Sequence, residues 1–500
     1  MVESVLILGG GSAGFLAALA LRARVPRVKV TVVRSKEIGV IGVGESTVPS
    51  VVNFLHGYLK LDPTHFLKTV APVWKLGIRF LWGPQPFFDY AFGSQLSNTY
   101  QGLSRPAVHY MGKDFADVGP TTALMTRCKA FTRRPDGTPD LGPPVAYHLE
   151  NVRFVAWLED YARQRGVEIL DGVAADVQVG EPGVTGITLD DGRKLAADLY
   201  IDASGFRSML LGKAMEEPYI SYASTLYCNS AVTGGWKRSP GEPVQPYTTA
   251  ETMEAGWCWR IDHDKLVNRG YVFSSDFLSD EAAEKEFRQK NPRIQETRFI
   301  RFKSGIYERG WVKNVVGLGN SSGFVEPLES TAILAFCLAI VQMTQIMVVT
   351  DCRPTPSWID IYNRTHANRW DSIRGFLGLH YRYNTRLDNE FWRTCREKVN
   401  LAGAEQIVAF YQENGPQFQL HRYLLDREDI FGDEGYLSLL TGMGVRCKTS
   451  LVSSAELGRW NETRQQFGAI ADRAFSYEEA IHLFTSPQWV WPEGWHGRSY

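Results

Sequence analysis

The sequence lacks the marks of a nucleic-acid-binding, disulfide-bonded or metal-binding protein. Lysine and arginine number 54 and aspartate and glutamate 55, so the formal net charge is −1, and there is no long basic run. This balance gives no electrostatic reason to expect binding to nucleic acid. The seven cysteines include no CxxC pair and none has ligand-like spacing to a histidine. We therefore expect reduced thiols, no metal centre and a cytoplasmic location.

Export and membrane signals are scarce as well. The chain enters a predicted strand near Val5 with Glu3 just before it, so there is no basic leader segment and we expect no signal peptide. The one long apolar run, residues 332–349, is interrupted by Gln342 and Gln345. That pattern predicts a buried core helix and no membrane span.

Length and aromatic content are what the chain has in abundance. Its 500 residues suffice for two to four domains or for one large interleaved fold. Hydrophobic residues make up 44% and aromatic residues 12%, and there are 14 tryptophans. So many tryptophans suggest an aromatic-lined cavity, although core packing alone explains them equally well.

The N-terminal segment has the pattern of a nucleotide-binding unit. A short apolar strand is predicted over 5–8, the sequence GGGSAG occupies 9–14, and a helix and a second strand are predicted over 15–24 and 28–33. In GxGxxG the first glycine permits a tight turn, and the second lets the backbone approach a pyrophosphate. The third glycine lets helix and strand pack closely. This order predicts a dinucleotide site on a parallel sheet.

The identity of the dinucleotide is less clear from the sequence. The second strand ends in Arg34, where an acidic residue commonly holds a ribose. Arg34 is either a solvated arginine or an altered contact to the adenosine half. Turns at 202–205 and 317–320 follow predicted strands and favour FAD over NAD, although each is also an ordinary turn sequence. The glycine-rich segment 38–49 predicts a loop held close to another group.

Downstream patterns alternate between helix and strand. A helix is predicted over 151–165, a strand over 167–170, a hairpin at 190–192 and mixed strands over 218–305, and the pattern is mainly helical from about 355.

We therefore predict an α/β fold with a Rossmann-like, FAD-binding core of the flavoprotein monooxygenase type. Residues 1–350 would form this core, interleaved with a mixed-sheet substrate region at about 60–150 and 218–305. Residues 351–500 would form a mainly helical C-terminal region that covers the substrate.

Residues 73–82 (VWKLGIRFLW) predict one β-strand with a lysine set into it. Alternation places Trp74 and the other bulky apolar side chains on one face, and Lys75, Gly77 and Arg79 on the other. Alternation alone assigns the lysine face to solvent.

A second strand, with sequence WxWxI, carries two tryptophans. Trp257, Trp259 and Ile261 would share one face and form a flat, rigid apolar wall. Ordinary packing of a sheet face on a core is the alternative.

The segment 324–332 (FVEPLESTA) precedes the long apolar helix. Ser330 or Thr331 is expected to cap that helix, whose free N–H groups form an anion site. Glu329 is either a capping carboxylate or a buried acid. A buried acid requires a hydrogen-bond or charge partner, or has a functional role.

Taken together, these segments resemble the flavin-dependent halogenases of the tryptophan halogenase family. The resemblance spans residues 3–450 and keeps the family's order of motifs. The matching motifs are GGGSAG at 9–14, GVGESTVP at 42–49, WKLGIRF at 74–80, WxWxI at 257–261, FVEPLEST at 324–331, HYR at 380–382 with FWR at 391–393, and LTGMG at 440–444.

The resemblance implies two-component flavin halogenation. FADH2 from a separate flavin reductase, oxygen and chloride or bromide would yield hypohalous acid, which halogenates a small electron-rich aromatic. Lys75 would present the hypohalous acid, as a hydrogen-bonded species or a haloamine, from a face that lines a channel. Glu329 would polarise the oxidant or help to take the ring proton. A homodimer is compatible with the resemblance.

Further residues are assigned by the same resemblance. The backbone of Thr331 and Ala332 would hold halide, Trp257 and Trp259 would separate substrate from flavin, and His109 would line the substrate pocket. The flavin site would include Gly9, Gly11, Ser12, Ala13, Gly14, Gly44, Glu45, Ser46, Val173, Asp202, Leu318 and Ile333.

Several positions depart from the common family pattern. Asp262 replaces the proline that usually follows WxWxI, Ala332 replaces a glycine, and Met111 stands where an aromatic is frequent. The C-terminal tyrosine pair and following acid that grip free tryptophan are not found. Their absence argues against free L-tryptophan and leaves an indole or another electron-rich aromatic open.

Two other functions compete with halogenation. An aromatic monooxygenase of the same fold would insert oxygen directly and would need neither Lys75 nor the tryptophan wall. A non-catalytic flavin-binding scaffold would have no use for Lys75 and Glu329.

Overall fold

A six-stranded sheet forms the centre of the computed structural model, which describes residues 1–37, 44–417 and 420–497. Neighbouring strands are parallel except at one edge, so the predicted βαβ opening and parallel sheet are confirmed. In spatial order the strands are Trp311–Val312, Val315–Gly317, Leu199–Asp202, Ser4–Leu8, Lys29–Arg34 and Glu168–Asp171. The chain leaves this sheet after residue 34 and returns at 168.

A seven-stranded sheet forms the second layer and supplies the tryptophan wall. Its strands are antiparallel except for one parallel pair, Thr248–Met253 with Gly77–Leu81. The strand order is Arg298–Arg301, Ser230–Lys237, Leu266–Phe273, Gly256–Asp262, Thr248–Met253, Gly77–Leu81 and Phe88–Ala91.

Three small sheets of three strands complete the β-structure of the described residues. All three are antiparallel, and one of them joins the strand Glu45–Ser46 to the strand Val73–Lys75 through a central strand. The three orders are Glu45–Ser46, Ala146–Leu149, Val73–Lys75; Lys194–Leu195, Gly183–Leu189, Ala174–Gly180; and Tyr219–Ser221, Gly305–Tyr307, Gly323–Phe324.

Helices cover the sheets and make up the regular structure of the described residues beyond 351. The α-helices are Ser12–Arg24, Pro49–Val52, Pro63–Val70, Pro120–Thr126, Asn151–Gln164, Asp280–Lys290, Ala332–Val349, Pro356–Tyr383, Glu390–Lys398, Glu405–Asn414, Leu420–Tyr423, Gly432–Gly442, Ser454–Asp472 and Tyr477–Phe484. The helix Asp280–Lys290 interrupts the segment 218–305, for which the sequence predicted strands alone; Ser279 caps it by accepting from the N–H of Ala282.

The apolar helix Ala332–Val349 lies in the core, as the sequence predicted. It packs against the helix Ser12–Arg24, and both belong to the main hydrophobic cluster. In the described part of the chain it is the one helix long and apolar enough to cross a membrane, and 61% of it is buried within the fold. Burial by protein accounts for its apolar composition.

The prediction of a single strand over 73–82 is wrong. The lysine face, which alternation alone assigns to solvent, is not exposed to solvent. The strand breaks at Leu76, whose N–H donates to Pro246 O and whose carbonyl accepts from Phe92 N. Val73–Lys75 and Gly77–Leu81 therefore belong to different sheets. Lys75 and Gly77 are fully covered, and Arg79 is half-buried in an ion pair with Asp89. Alternation continues through the break, so the sequence carries no sign of it.

Candidate active site

The glycine turn after the first strand has room for a phosphate group. Gly9 has φ +127°, and a Cβ there would lie 2.1 Å from Ala203 O; at Gly14 a Cβ would lie 2.0 Å from Gly9 O. A Cβ on Gly11 meets nothing within 4 Å. Gly9 and Gly14 thus allow close packing, while Gly11 leaves open space before the N-terminus of the helix Ser12–Arg24. Backbone N–H groups at that position suit a pyrophosphate.

The strap, residues 44–47, is tied to this turn. Ser12 Oγ donates to Asn151 Oδ1 at 3.1 Å, and Asn151 Nδ2 donates to Glu45 Oε1 at 3.4 Å. Desolvation raises the pKa of Glu45 to about 7. A Cβ on Gly44 would lie 2.6 Å from His263 Nε2 and 2.8 Å from Asn268 Nδ2, so the strap packs closely against these two side chains. The preceding part of the predicted loop, 38–43, lies outside the described residues.

Asp202 and Leu318, which are also predicted at the flavin site, are buried and hydrogen-bonded to each other. Asp202 is buried, and its side chain accepts from the N–H groups of Ser204, Leu210 and Leu211, so it holds its own loop together. Leu318 is buried and donates to Asp202 O at 2.8 Å, and a Cβ on the adjacent Gly319 would lie 3.1 Å from Ala13 Cβ.

Two further predicted flavin residues lie beside this region. Val173 pairs with Asp190 through both backbone groups, and Ile333 is buried in the main hydrophobic cluster. Neither side chain has a contact in the structure that assigns it a chemical role.

Arg34 is not a solvated arginine. Its guanidinium lies 2.8 Å from Glu159 and 3.7 Å from Asp171, and its Cβ would be 2.4 Å from a Cβ on Gly10. Its Nε is buried without a hydrogen-bond partner in the described structure. The charge is neutralised by acids from other elements, and the partners could not be read from the sequence.

Lys75 is fully buried beside the strap and the segment 324–332. Its Nζ donates to Thr47 O at 3.0 Å and to Ser330 Oγ at 2.9 Å, and lies 5.2 Å from the centre of the Phe92 ring. Burial lowers the pKa of Lys75 to about 7, against the opposing charge of Glu329. A substantial fraction of the lysine is therefore a neutral amine near pH 7.

Ser330 contacts Lys75, whereas the sequence predicted that it caps the following helix. It has φ +60°, a left-handed conformation that costs a non-glycine residue about 1–2 kcal/mol. Its Oγ accepts from Lys75 and donates to Ser46 Oγ at 2.9 Å. Thr331 is the N-cap of the helix and makes no side-chain cap hydrogen bond. The prediction that one of these hydroxyls caps the helix is therefore wrong.

Glu329 is a buried acid facing a histidine and is not a helix cap. Its Oε1 lies 2.7 Å from His380 Nε2, and neither atom has another partner among the described residues. His380 Nδ1 lies 3.0 Å from Phe376 O. A carbonyl oxygen only accepts, so Nδ1 carries a hydrogen and Nε2 faces the carboxylate of Glu329.

The tryptophan wall is anchored by an acid that the sequence reasoning missed. Trp257 Nε1 donates to Glu326 Oε2 at 3.0 Å, and Tyr381 OH donates to the same oxygen at 2.6 Å. Burial raises the pKa of Glu326 to about 7. The rings of Trp257 and Trp259 are 6.0 Å apart, and a Cβ on Gly270 would lie 2.0 Å from the Trp259 ring. Both tryptophans are buried, as both sequence alternatives require.

Of the remaining predicted residues, Thr331 and Ala332 adjoin this centre, whereas no contact in the described structure ties His109 to it. Thr331 and Ala332 start the helix Ala332–Val349, and Ala332 lines a cleft with Phe324 and Trp370. His109 ends a short 3₁₀ turn and is half-buried, and burial lowers its pKa.

Asp262, which departs from the family pattern, is buried between two arginines. Its carboxylate lies 3.0 Å from Arg238 and 2.8 Å from Arg260. The charge is thereby paired, and Asp262 is the last residue of the strand Gly256–Asp262.

Comparison with known proteins gives consistent matches across the chain. The family described as "Tryptophan halogenase" matches residues 4–456. The chain is 32% identical to tryptophan 7-halogenase KtzQ of Kutzneria sp. (strain 744), over 83% of this chain and 82% of that protein. It is 30% identical to 7-chloro-L-tryptophan 6-halogenase KtzR of the same organism, over 95% and 97%.

Solved structures agree with these relatives. MibH, described as a lanthipeptide tryptophan 5-halogenase, has a TM-score of 0.88 and 36% identity, covering 97% of this chain and 94% of that one. BrvH, a flavin-dependent halogenase from Brevundimonas sp. BAL3, has a TM-score of 0.85 and 29% identity, covering 97% and 100%.

The fold and the site define a flavin-dependent halogenase, an oxidoreductase that acts with a flavin and halide on aromatic substrates. The chain belongs to the tryptophan halogenase family. The resemblance, the fold class and the assignment as an enzyme are thereby confirmed, whereas the roles of individual residues stay predictions.

Proposed function

We propose that this protein is a FADH2-dependent halogenase that installs chloride or bromide on an electron-rich, indole-type aromatic and uses Lys75 to deliver the halogen. The observation that carries the proposal is the fully buried Lys75, whose pKa burial lowers to about 7. A buried lysine without a carboxylate partner at hydrogen-bond distance is costly. A chemical role for the amine would explain why the protein keeps a lysine at this position despite the cost.

The cofactor we propose is FAD in its reduced form, supplied by a separate flavin reductase. The open space at Gly11, before the helix Ser12–Arg24, fits its pyrophosphate. When bound, reduced FAD and oxygen would supply the two-electron oxidation that converts halide to hypohalous acid. The strap residues Glu45 and Ser46 connect this turn to the lysine through Asn151 and Ser330.

Lys75 is arranged to meet hypohalous acid with one free position. In the neutral amine, both N–H groups are directed to acceptors, Thr47 O and Ser330 Oγ, and the lone pair occupies the remaining direction. The amine can accept a hydrogen bond from hypohalous acid there. It can also displace hydroxide from the halogen, which forms a haloamine and, with the released proton, water.

Glu329 would act on the aromatic ring. An electron-rich ring that takes up a halogen becomes cationic, and a carboxylate nearby stabilises that charge and removes the ring proton. Glu329 Oε1 lies 2.7 Å from His380 Nε2. His380 is therefore placed to take the ring proton from Glu329 after each turnover.

The wall of Trp257 and Trp259 would keep the aromatic substrate apart from the flavin, so that halide is oxidised first. The missing tyrosine pair favours an indole or a tryptophan within a larger molecule over free L-tryptophan. A larger substrate is in keeping with the 36% identity to MibH, whose description names a lanthipeptide. We also propose that the enzyme acts in the cytoplasm.

A coupled assay tests this function. The purified protein is incubated with FAD, NADH, a flavin reductase, bromide or chloride, and a panel of indole, L-tryptophan and a tryptophan-containing peptide. We expect a mass gain of one halogen on indole or the peptide, and none with Lys75→Met. A hydroxylated product would identify a monooxygenase, and undiminished halogenation by Lys75→Met would contradict delivery by the lysine.

A further inference from the structure

Three hydroxyl groups connect Lys75 to the buried ring of His148. Lys75 Nζ lies 2.9 Å from Ser330 Oγ, which lies 2.9 Å from Ser46 Oγ. Ser46 Oγ lies 2.7 Å from Thr248 Oγ1, and Thr248 Oγ1 lies 2.9 Å from His148 Nε2. Each hydroxyl group has one hydrogen, so the direction of one hydrogen bond in this line fixes the direction of the next.

The ring of His148 carries its hydrogen on Nδ1. This nitrogen lies 3.1 Å from the backbone carbonyl oxygen of Asp262, which can only accept a hydrogen bond. The ring is neutral, because burial lowers the pKa of His148 well below its usual value and repulsion from Lys75 lowers it further. A neutral ring with its hydrogen on Nδ1 has an acceptor at Nε2.

This acceptor sets the direction of each hydrogen bond as far as the lysine. Thr248 uses its one hydrogen to donate to Nε2, so it accepts from Ser46. Ser46 in turn accepts from Ser330. The hydrogen of Ser330 is thus directed away from Lys75, and Ser330 Oγ meets the amine as an acceptor.

The opposite direction would block the amine. With its hydrogen on Nε2, His148 would donate to Thr248, each hydroxyl would donate to the next, and Ser330 would donate to Nζ. That hydrogen would occupy the lone pair of the neutral amine, where the halogen has to be received. The carbonyl oxygen of Asp262 excludes this arrangement, because it requires the hydrogen on Nδ1.

We propose that His148 and Thr248 are positioning residues that keep the lone pair of Lys75 free for the halogen. Both act through Ser46 and Ser330, which lie between them and the amine. No proton leaves the lysine along this line, and each hydroxyl keeps its own hydrogen. The inference rests on the proposed function, because a free lone pair has a use only if the amine meets hypohalous acid.

The charges around the two ends agree with this arrangement. Glu329 faces Lys75, while Lys75 and His263 face His148. The carboxylate of Asp262 is paired with two arginines, and its backbone carbonyl meets the imidazole. Neighbouring charge in the described structure therefore also favours the neutral ring.

The first test compares Thr248→Val with Thr248→Ser and Thr249→Val. Valine keeps the shape of threonine without its hydroxyl, and serine keeps the hydroxyl. Thr249 is the next residue of the same strand and is directed to the opposite face. In Thr248→Val the hydrogen of Ser46 loses its acceptor and can turn to Ser330, whose hydrogen can then turn to the amine.

We expect kcat for halogenation of indole to fall about tenfold in Thr248→Val, because the lone pair is then occupied for most of the time. KM should be unchanged, and so should formation of hypohalous acid, measured with a small diffusible halogen acceptor. Thr248→Ser and Thr249→Val should match the wild type. A loss of kcat in Thr248→Ser equal to that in Thr248→Val would overturn the proposal.

The pH–rate profile separates this effect from a structural one. A hydrogen bond donated to the lone pair stabilises the neutral amine and so lowers the pKa of Lys75. The acid limb of the profile should therefore move to lower pH in Thr248→Val, while its plateau falls. A lower plateau with an unmoved acid limb would indicate a structural lesion and overturn the proposal.

NMR of the imidazole tests the direction of the line in the wild-type protein. In ¹⁵N-histidine-labelled protein without cofactor, the ring of His148 should carry hydrogen on Nδ1 and none on Nε2. The variant His148→Gln assigns the signals by their disappearance. Hydrogen on Nε2 would overturn the proposal whatever the rates show.

The possible results distinguish this inference from the function on which it rests. If Lys75→Met abolishes halogenation while Thr248→Val matches Thr249→Val in kcat and acid limb, the positioning role alone is overturned. Undiminished halogenation by Lys75→Met would overturn delivery by the lysine and, with it, the use of a free lone pair.

Discussion

At the scale of single residues, the site consists of buried ionisable groups that lack full ion pairs. Lys75 meets a carbonyl and a hydroxyl, Glu329 meets one imidazole nitrogen, and Glu326 meets an indole and a phenol. Burial shifts the pKa values of Lys75 and Glu326 to about 7, which favours their neutral forms. Groups that titrate near neutrality can give and take protons during turnover.

Glu329→Gln should lower kcat for indole halogenation by roughly 100-fold, because the amide cannot take the ring proton. Formation of hypohalous acid should be unaffected. Glu326→Gln is the matched control on the same segment, since its amide oxygen can still accept from Trp257 and Tyr381. Equal losses of kcat in the two variants would show that Glu329 has no special role.

Functional residues could be predicted from the sequence where a motif contains them. The residues that they contact could not. The motifs single out Lys75 and Glu329, and both are buried near Ser330 and His380 respectively. The partner of Arg34, Glu159, comes from a helix 125 positions along the chain. Such a pairing depends on packing between elements, which the spacing of residues does not encode.

At the scale of elements, the glycine turn and the lysine strand differ in how much their sequences reveal. The turn follows from local rules, because Gly9 and Gly14 each meet backbone atoms that exclude a side chain. The lysine strand does not, because its break at Leu76 is set by hydrogen bonds to Pro246 and Phe92. Local preference predicts the first and tertiary structure decides the second.

Gly11→Ala should leave folding intact and weaken FAD binding by roughly tenfold, because one methyl group fills the space before the helix N-terminus. Binding is measured by flavin fluorescence and folding by thermal unfolding. Gly14→Ala should instead lower the melting temperature, because its Cβ would lie 2.0 Å from Gly9 O. Wild-type affinity in Gly11→Ala would contradict a pyrophosphate at this turn.

At the scale of the whole molecule, interleaving hides the boundaries of the parts. The central sheet takes strands from residues 4–34, 168–202 and 311–317, and the intervening segments build the second sheet. No proline-rich or polar linker separates these parts in sequence. The fold class was therefore predictable from the βαβ pattern, while the extent of each part is a proposal.

Acid should destabilise the fold only weakly between pH 6.5 and 4.5, and more steeply between 4.5 and about 4. Burial lowers the pKa of His56, His263 and His366 to about 4, so their stability contribution is lost as pH falls from 6.5 to 4. The pKa values of Glu45 and Glu326 are raised to about 7. Their contribution has the opposite sign and is lost as pH rises from 4.5 to 7.

Urea unfolding at a series of pH values measures this dependence. Glu326→Gln removes one of the two opposing carboxyls, so it should steepen the slope between pH 4.5 and 6.5. A slope unchanged by this variant would contradict the raised pKa of Glu326.

The hydrogen bond between Lys75 and Ser330 joins residues 255 positions apart. At about 5–20 residues per second, a ribosome needs roughly 10–50 s to synthesise the chain between them. During that time the first strands can pair, but the lysine has neither its hydroxyl partner nor the cover that lowers its pKa. The buried environment of the lysine is thus completed late in biosynthesis, after most of the sheet that surrounds it has been made.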